Sequence, residues 1–235
     1  MAGRPDSVDW FKVPGYPGFY EPGVIEPGLR GLAEATNLMA AARATTSLDQ
    51  AGLVHGHSGA AMPAAAFAAP FLLDVLEHGH DAAKVGACGL LEDSMRYDPL
   101  PGYTRVPAAF GPAVPICCAV AHHVHSRRDV VVALGPRFRD LLVEAAPHWS
   151  FEVGETADDG GDTIAFGTLR GKLPVGRHEA ECHSPAGRAV LGDVRLELPA
   201  DPDGSEVCVR LFGVEPGALP ARAVLLPAEC GRRVH

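Results

Sequence analysis

The spacing of apolar residues changes once along the chain, close to residue 150. Before that point apolar residues recur at helical intervals, and after it they form short alternating runs interrupted by Gly, Pro and Asp. The change predicts an α+β protein in which stacked α-helical hairpins precede a small antiparallel β sandwich or barrel. The predicted parts are an extended Pro/Gly-rich arm over 1–25, a helical domain over 26–148 and a β module over 149–235.

Six helical segments are predicted in the first part. The first begins near Glu26-Pro27, with proline in the first turn, and runs through residue 45, after which Ser47 caps a short second helix. Because short connections join successive amphipathic helices, we expect antiparallel hairpins, and strands only after about residue 150. The remaining segments cover 61–78, 81–97, 113–125 and a sixth region that starts at Ser126, is broken at Gly135-Pro136 and resumes over 137–146.

Two prolines fall in the segment "HSGAAMPAAAFAAPFLLDVL", residues 57–76. Pro63 lies in the first turn of the third helix, where its missing N–H is tolerated. Pro70 lies two turns further on, where proline removes a hydrogen bond and clashes with the preceding turn. Since "FLLDVLEH" after Pro70 stays amphipathic, we expect the helix to continue past it with a kink.

This segment resembles HEAT-repeat-like proteins of actinomycete bacteria, although Ala60 and Met62 depart from their usual pattern. The resemblance covers residues 26 to 147 at most, and it implies a stacked helical solenoid and no reaction. Almost all the basic residues are arginine, and Ala, Gly and Pro are abundant. This composition also suggests a high-GC bacterial genome. The matching positions are His57, Gly59, Pro63, Ala64, Pro70, Phe71 and Leu72.

Five alternating runs in the second part predict strands at 162–171, 176–184, 193–199, 206–214 and 221–227. Turn signals at 158–161, 184–187, 200–204 and 215–220 separate them. The alternation places Ile164 and Phe166 on one face of their strand, and Glu179 and Glu181 opposite Ala180 and Cys182. It also predicts two apolar faces, formed by Val194, Leu196 and Leu198 and by Val207, Val209 and Leu211.

Composition excludes several classes of function. A net charge of −9 without a basic stripe argues against a nucleic-acid partner, and no apolar run suits a signal peptide or a membrane span. Six cysteines without a C-x-x-C pair are expected to be free thiols in a cytoplasmic protein, and Cys117-Cys118 in an apolar helix to be buried and inert. No nucleophile elbow or phosphate-binding loop is present.

The candidate catalytic residues are His122, His125, Glu92 and His57. His122 and His125 lie three apart on one helix face, a spacing that suits acid–base work or metal chelation. No motif supplies a third ligand, so no metal or cofactor is predicted, and a packing role near the helix C-terminus is favoured. His57 favours a capping role, and Glu92 favours a solvated face paired with Arg96.

Two functions follow from these observations. The leading prediction is an intracellular binding or scaffold protein that holds a protein or small-molecule partner on its helical surface. The alternative is a small-molecule metabolic enzyme with a histidine/carboxylate pocket at the junction of the two parts. Neither fold-level analogy nor any motif separates them, and the oligomeric state is left open.

Overall fold

The computed structural model describes residues 5–185, 187–197, 206–220 and 222–235. In this part of the chain a body of seven α-helices precedes a closed barrel of six antiparallel strands. The helices are α1 Pro22–Ala33, α2 Leu38–Ala51, α3 Ala64–His78, α4 Asp81–Arg96, α5 Ile116–Ser126, α6 Arg128–Ala133 and α7 Arg139–Ala145. The strands are β1 Val54–His55, β2 Ala60–Ala61, β3 Asp98–Pro99, β4 Arg105–Ala108, β5 Gly111–Pro115, β6 Ser150–Asp159, β7 Asp162–Arg170, β8 His178–Ser184, β9 Gly187–Leu196, β10 Glu206–Leu211 and β11 Val224–Pro227.

The segment before α1 packs on the helical body through Trp10. The indole is buried, its Nε1 donates to the Pro5 carbonyl at 2.9 Å, and its ring centroid lies 6.3 Å from that of Phe71 on α3. The Tyr20 hydroxyl donates to the Trp10 carbonyl at 2.7 Å. These contacts attach the segment to the core, and residues 1–4 of the predicted arm lie outside the described residues.

The predicted bounds of the first two helices are wrong. α1 begins at Pro22 and carries Pro27 inside it, and it ends at Ala33. α2 then starts after Asn37, whose side chain accepts a hydrogen bond from the Ala40 amide at 3.0 Å. Ser47 therefore lies inside α2, and the predicted second helix over 48–55 does not form as a separate element. The apolar spacing runs through both helices, so the cap rather than the pattern sets this boundary.

Pro70 lies inside α3, as the sequence predicted, and Pro63 is the residue before its first turn. The helix continues for two further turns to His78 because the residues after the proline supply a second buried stretch, which includes Phe71, Leu72 and Leu76. α3 and α4 are joined by a short connection and pack on each other, and both also contact α5. The predicted bounds of α4 are close to those observed.

Five short strands interrupt the helical part, so the prediction that strands begin only after residue 150 is wrong. β1, β2 and β3 form one small sheet, and β4 pairs with β5 in a hairpin. The fifth predicted helix was expected to start at Ala113, yet it begins at Ile116. Pro115 favours extended backbone in the residue before it, so the chain ends a strand there before it turns into α5.

The strand order of the barrel is β10-β7-β6-β11-β8-β9, closed on itself. The structure therefore has a barrel and not an open sandwich, and it adds β6, which the alternation did not predict. Val194, Val207, Val209 and Leu211 are buried inside, as predicted. The predicted inward position of Leu198 and the predicted turn at 200–204 lie outside the described residues.

The structure shows which face of β7 and of β8 is buried. In β7 the buried side chains are Thr163, Ala165 and Leu169, while Phe166 points outward with Ile164 and is 42% exposed. In β8 Glu181 is buried, although Glu179 on the same face of the strand is exposed. The β4–β5 hairpin covers the outer face of β8 and supplies Arg105 as the partner of Glu181.

The outer face of β11 packs into the hydrophobic core of the helical body. Val224 and Leu226 of β11, with Cys230, belong to the same buried cluster as the helices. The barrel interior, which includes Leu225, forms a second cluster around Trp149 and Phe151. Among the described helices none has the length and apolar character needed to cross a membrane.

Candidate metal centre

Four potential metal ligands meet where the helical body and the barrel join. They come from three places in the chain: Cys117 and Cys118 in the first turn of α5, His148 in the turn between α7 and β6, and Cys230 in a 3₁₀ helix after β11. The three Sγ atoms and one ring nitrogen of His148 all lie within 4.8 Å of one another. This spacing is that of a compact ligand set around one position.

Local structure fixes each of the four side chains. Pro115 is the N-cap residue of α5, and the helix begins at Ile116. Both cysteines therefore lie in its first turn. The backbone N–H of His148 donates to the Ala145 carbonyl at 3.0 Å and closes the turn after α7. Cys230 follows β11 directly, so the position of this strand in the barrel determines where its thiol lies.

The ligand set is shielded from water. The exposed fractions are 5% for Cys117, 1% for Cys118, 8% for His148 and 5% for Cys230. His148 Nδ1 lies 3.2 Å from Cys230 Sγ. A tetrahedral zinc ion with its usual bond lengths separates its ligand atoms by about 3.3–3.8 Å. Small side-chain adjustments are therefore sufficient to place all four donors around one ion.

The electrostatics of the site favour one thiolate, at Cys117. Hydrogen bonds from Cys118 and Cys230 hold the pKa of Cys117 well below its usual range, whereas burial raises the pKa of Cys118. The hydrogen bond to Cys117 also raises the pKa of Cys230. The cationic side chain of Arg233 interacts with Cys117 and Cys230, and the two cysteines of α5 lie at the positive end of its dipole.

Arg233 is itself held by the helical body. Its Nε donates to Asp98 Oδ1 at 2.7 Å, and a terminal nitrogen donates to the Met95 carbonyl at 2.8 Å. The amide of His235 donates to the Pro99 carbonyl at 2.9 Å. The end of the chain is thereby fastened beside the cluster, with a positive charge available to offset three thiolates around a divalent ion.

Thiolates and a histidine are the ligands of structural zinc sites, and soft thiolates also bind Cu(I). All six cysteines are free and buried, so the three thiols of the cluster form no disulfide. The arrangement can bind one metal ion with four protein ligands. A set of four leaves no coordination position for a substrate.

The structure separates the sequence-predicted catalytic residues. His122 and His125 lie on the same helix, as expected, but His125 Nε2 lies 3.1 Å from the Ala145 carbonyl in the turn that carries His148. Burial lowers the pKa of both histidines to about 4. Glu92 accepts a hydrogen bond from Cys88 at 3.3 Å, and the ring of His57 stands edge-on to that of His55. His122 lines a cavity between α3, the β4–β5 hairpin and α5, and His125, Glu92 and His57 do not line this cavity.

Sequence reasoning named Cys117 and Cys118 as a pair but did not join them to His148 and Cys230. Thirty residues separate Cys118 from His148, and eighty-two separate His148 from Cys230. Metal motifs that can be read from sequence use short spacings such as C-x-x-C. The available signal was a vicinal cysteine pair that begins two residues after a proline at a helix start.

No family model, curated protein or solved structure matches this chain. The geometry of the site is therefore the basis on which a function is inferred.

Proposed function

We propose that the protein binds one Zn²⁺ ion through Cys117, Cys118, His148 and Cys230, and that the ion holds the barrel and the C-terminal end of the chain against the helical body. The observation that carries this proposal is the convergence of four buried donor atoms within 4.8 Å from three distant segments. Clusters with this composition and spacing have the ligand set of a structural zinc site.

Zinc fits better than other ions for two reasons. Three sulfurs and one imidazole exclude Mg²⁺ and Ca²⁺, which take oxygen ligands. A redox-inert ion also suits a site whose four positions are all filled by the protein, because nothing else can reach the metal. The ion would contribute to folding and not to catalysis.

The proposed metal lies where the helical body and the barrel pack against each other. Val224, Leu226 and Cys230 are the barrel-side contribution to the helical core. A tetrahedral ion at their edge would link α5, the α7–β6 turn and the residues after β11. Each link closes a long loop of chain, which makes the unfolded state more costly to reach.

Cobalt substitution tests this proposal. We expect Co²⁺ added to the metal-free, reduced protein to produce the intense visible bands of a tetrahedral cobalt–thiolate site and a near-ultraviolet sulfur-to-metal transition. Cys118→Ser should weaken the sulfur-to-metal transition, because one of three thiolates is lost. The spectra should saturate at one cobalt per chain, and added zinc should displace the cobalt.

Cys208→Ser is the matched control for this titration. Cys208 is a buried cysteine of β10 and belongs to no group of potential ligands in the described residues. Its spectrum should equal that of the unchanged protein. Weak, octahedral-type cobalt bands, or equal spectra from the Cys118→Ser variant and the control, would refute the proposed site.

We also propose the finer features that the sequence suggested. The packing of α1 on α2 and of α3 on α4, each pair joined by a short connection, supports a HEAT-like stack, on which a protein or small-molecule partner would bind. Six free thiols support a cytoplasmic location, since oxidising compartments favour disulfides. The net charge of −9 supports a partner other than nucleic acid.

A further inference from the structure

An apolar groove lies on the helical body between α2 and α4, which pack on each other. Its volume is about 450 Å³. Gly86 brings the two helices close, since a Cβ at this position would collide with Thr45 Oγ1. The walls of this α2–α4 groove include Leu38 and Ala42 of α2, Asp81, Ala82 and Val85 of α4, and Arg137 of the 3₁₀ turn before α7.

Large apolar side chains are exposed at this groove. Leu38 and Met39, the first two residues of α2, have exposed fractions of 72% and 65%, and Val85 of α4 is also exposed. Leu38 and Val85 line the groove, and Met39 directly follows Leu38 in the helix. Single exposed apolar residues are normal, whereas several beside an apolar recess are typical of a surface that binds a partner.

The groove also carries one acidic and one basic side chain, Asp81 and Arg137. Both residues are exposed, and neither forms an ion pair within the described part of the chain. Because these two charges have opposite sign and no ionic partner, an occupant with one basic and one acidic group would match both of them.

A second copy of this chain meets these requirements. The same face provides the exposed Leu38 and Met39 and the recess of alanine and glycine that can receive them, and it provides both the acid and the base. A two-fold rotation brings each of these features on one copy to its complement on the other, which is the arrangement of an isologous interface. An unrelated partner would need only one half of each complementary pair on this chain.

We propose that the α2–α4 groove is the contact surface of a two-fold homodimer of this protein. Leu38 and Met39 of each copy pack into the groove of the other copy. Asp81 of each copy pairs with Arg137 of the other, so the ion pair occurs twice. The contact uses none of the four metal ligands, and this role therefore goes beyond the zinc site.

Sedimentation equilibrium of the reduced protein measures this association. We expect a dissociation constant on the order of 10 µM, as suits a small and transient interface. Leu38→Glu should raise the dissociation constant at least about tenfold, because it places a charge in the apolar contact. Val175→Glu introduces the same charge at a fully exposed position between β7 and β8, and it should leave the dissociation constant unchanged.

Reversal of the two charges tests whether the partner is a second copy. Asp81→Arg and Arg137→Asp should each raise the dissociation constant at least about tenfold, because each homodimer would then contain two contacts between like charges. In an equimolar mixture of the two variants, both contacts of the heterodimer join opposite charges. We therefore expect the mixture to form heterodimers with the affinity of the unchanged protein.

Three results would each overturn the proposal: a chain that is monomeric up to about 500 µM, a dimer that Leu38→Glu does not weaken, or a mixture of the charge variants that associates no more tightly than either variant alone. The mixture is the deciding measurement if Leu38→Glu does not fold, since Asp81 and Arg137 are both exposed.

Discussion

Replacing Cys230 with serine is expected to lower the unfolding midpoint of the zinc-loaded protein by on the order of 10 °C. A ligand present at about 1,000 times its dissociation constant stabilises the folded state by ~4 kcal/mol, and a chain of this size shifts by about 2–4 °C per kcal/mol. Serine removes one thiolate and the bond that holds the end of the chain. Thermal unfolding followed by circular dichroism measures the shift.

A strong chelator should produce a similar shift in the unchanged protein and little further shift in Cys230→Ser. Cys208→Ser again serves as the control and should respond to the chelator as the unchanged protein does. If the chelator leaves all midpoints unchanged, no metal contributes to the stability of the fold, and the cysteines are packed thiols.

The second large effect concerns the buried ion pair that fastens the β4–β5 hairpin to the barrel. Arg105 donates to both carboxylate oxygens of Glu181, at 2.8 and 2.7 Å, and also to the carbonyls of Ala113 and Gly231. Arg105→Met should destabilise the protein by about 3–5 kcal/mol, because it leaves a buried carboxylate without its main partner. Urea unfolding at pH 7 gives this difference.

Glu181→Gln is the companion variant, since it keeps the shape of the side chain and removes its charge. In combination with Arg105→Met it should recover part of the lost stability, because the buried charge is gone. Arg96→Met removes the exposed pair with Glu144, whose atoms lie 3.0 Å apart, and should cost about 1 kcal/mol or less. Equal decreases in the free energy of unfolding in Arg105→Met and Arg96→Met would show that the buried ion pair contributes no more to stability than the exposed one.

The same pair predicts how stability depends on pH. Burial alone would raise the pKa of Glu181, but hydrogen bonds from His183 and Arg105 and the nearby Arg188 outweigh it and lower the pKa to about 2. A lowered folded-state pKa gives stability that is complete above the unfolded value of 4.5 and is lost as the pH falls toward 2. Urea midpoints should therefore fall between pH 4.5 and pH 2, and they should fall less in Glu181→Gln.

The sequence correctly predicted those elements whose spacing of apolar residues fits only one kind of secondary structure. α3 continues past Pro70 because the apolar spacing resumes directly after it, and β10 alternates cleanly with Val207 and Val209 inside. The first two helices were joined wrongly because a single side-chain cap at Asn37 ends one pattern and starts another without a change of period.

The faces of β7 and β8 depended on tertiary contacts. β7 carries apolar residues on both faces, so alternation alone did not choose between Ala165 and Phe166 as the inward side. Carboxylates usually face solvent, so the alternation alone gave no reason to expect Glu181 to be buried. Its burial depends on Arg105, which lies far away in the sequence and reaches it only through the hairpin.

The metal centre was beyond sequence reasoning for a related reason. Its four ligands lie on three segments that the barrel and the helical body bring together only after folding. His125 was a candidate ligand by spacing, and the structure gives it a different role, since its Nε2 contacts the Ala145 carbonyl in the turn that carries His148. Long-range convergence leaves no periodic trace in the chain.

Native mass spectrometry of the protein purified under reducing conditions tests the central claim most directly. The zinc account predicts one zinc ion per chain, confirmed by elemental analysis, and its loss from both Cys118→Ser and Cys230→Ser but not from Cys208→Ser. A folded chain that carries no metal, and takes up none when zinc is supplied, would contradict it.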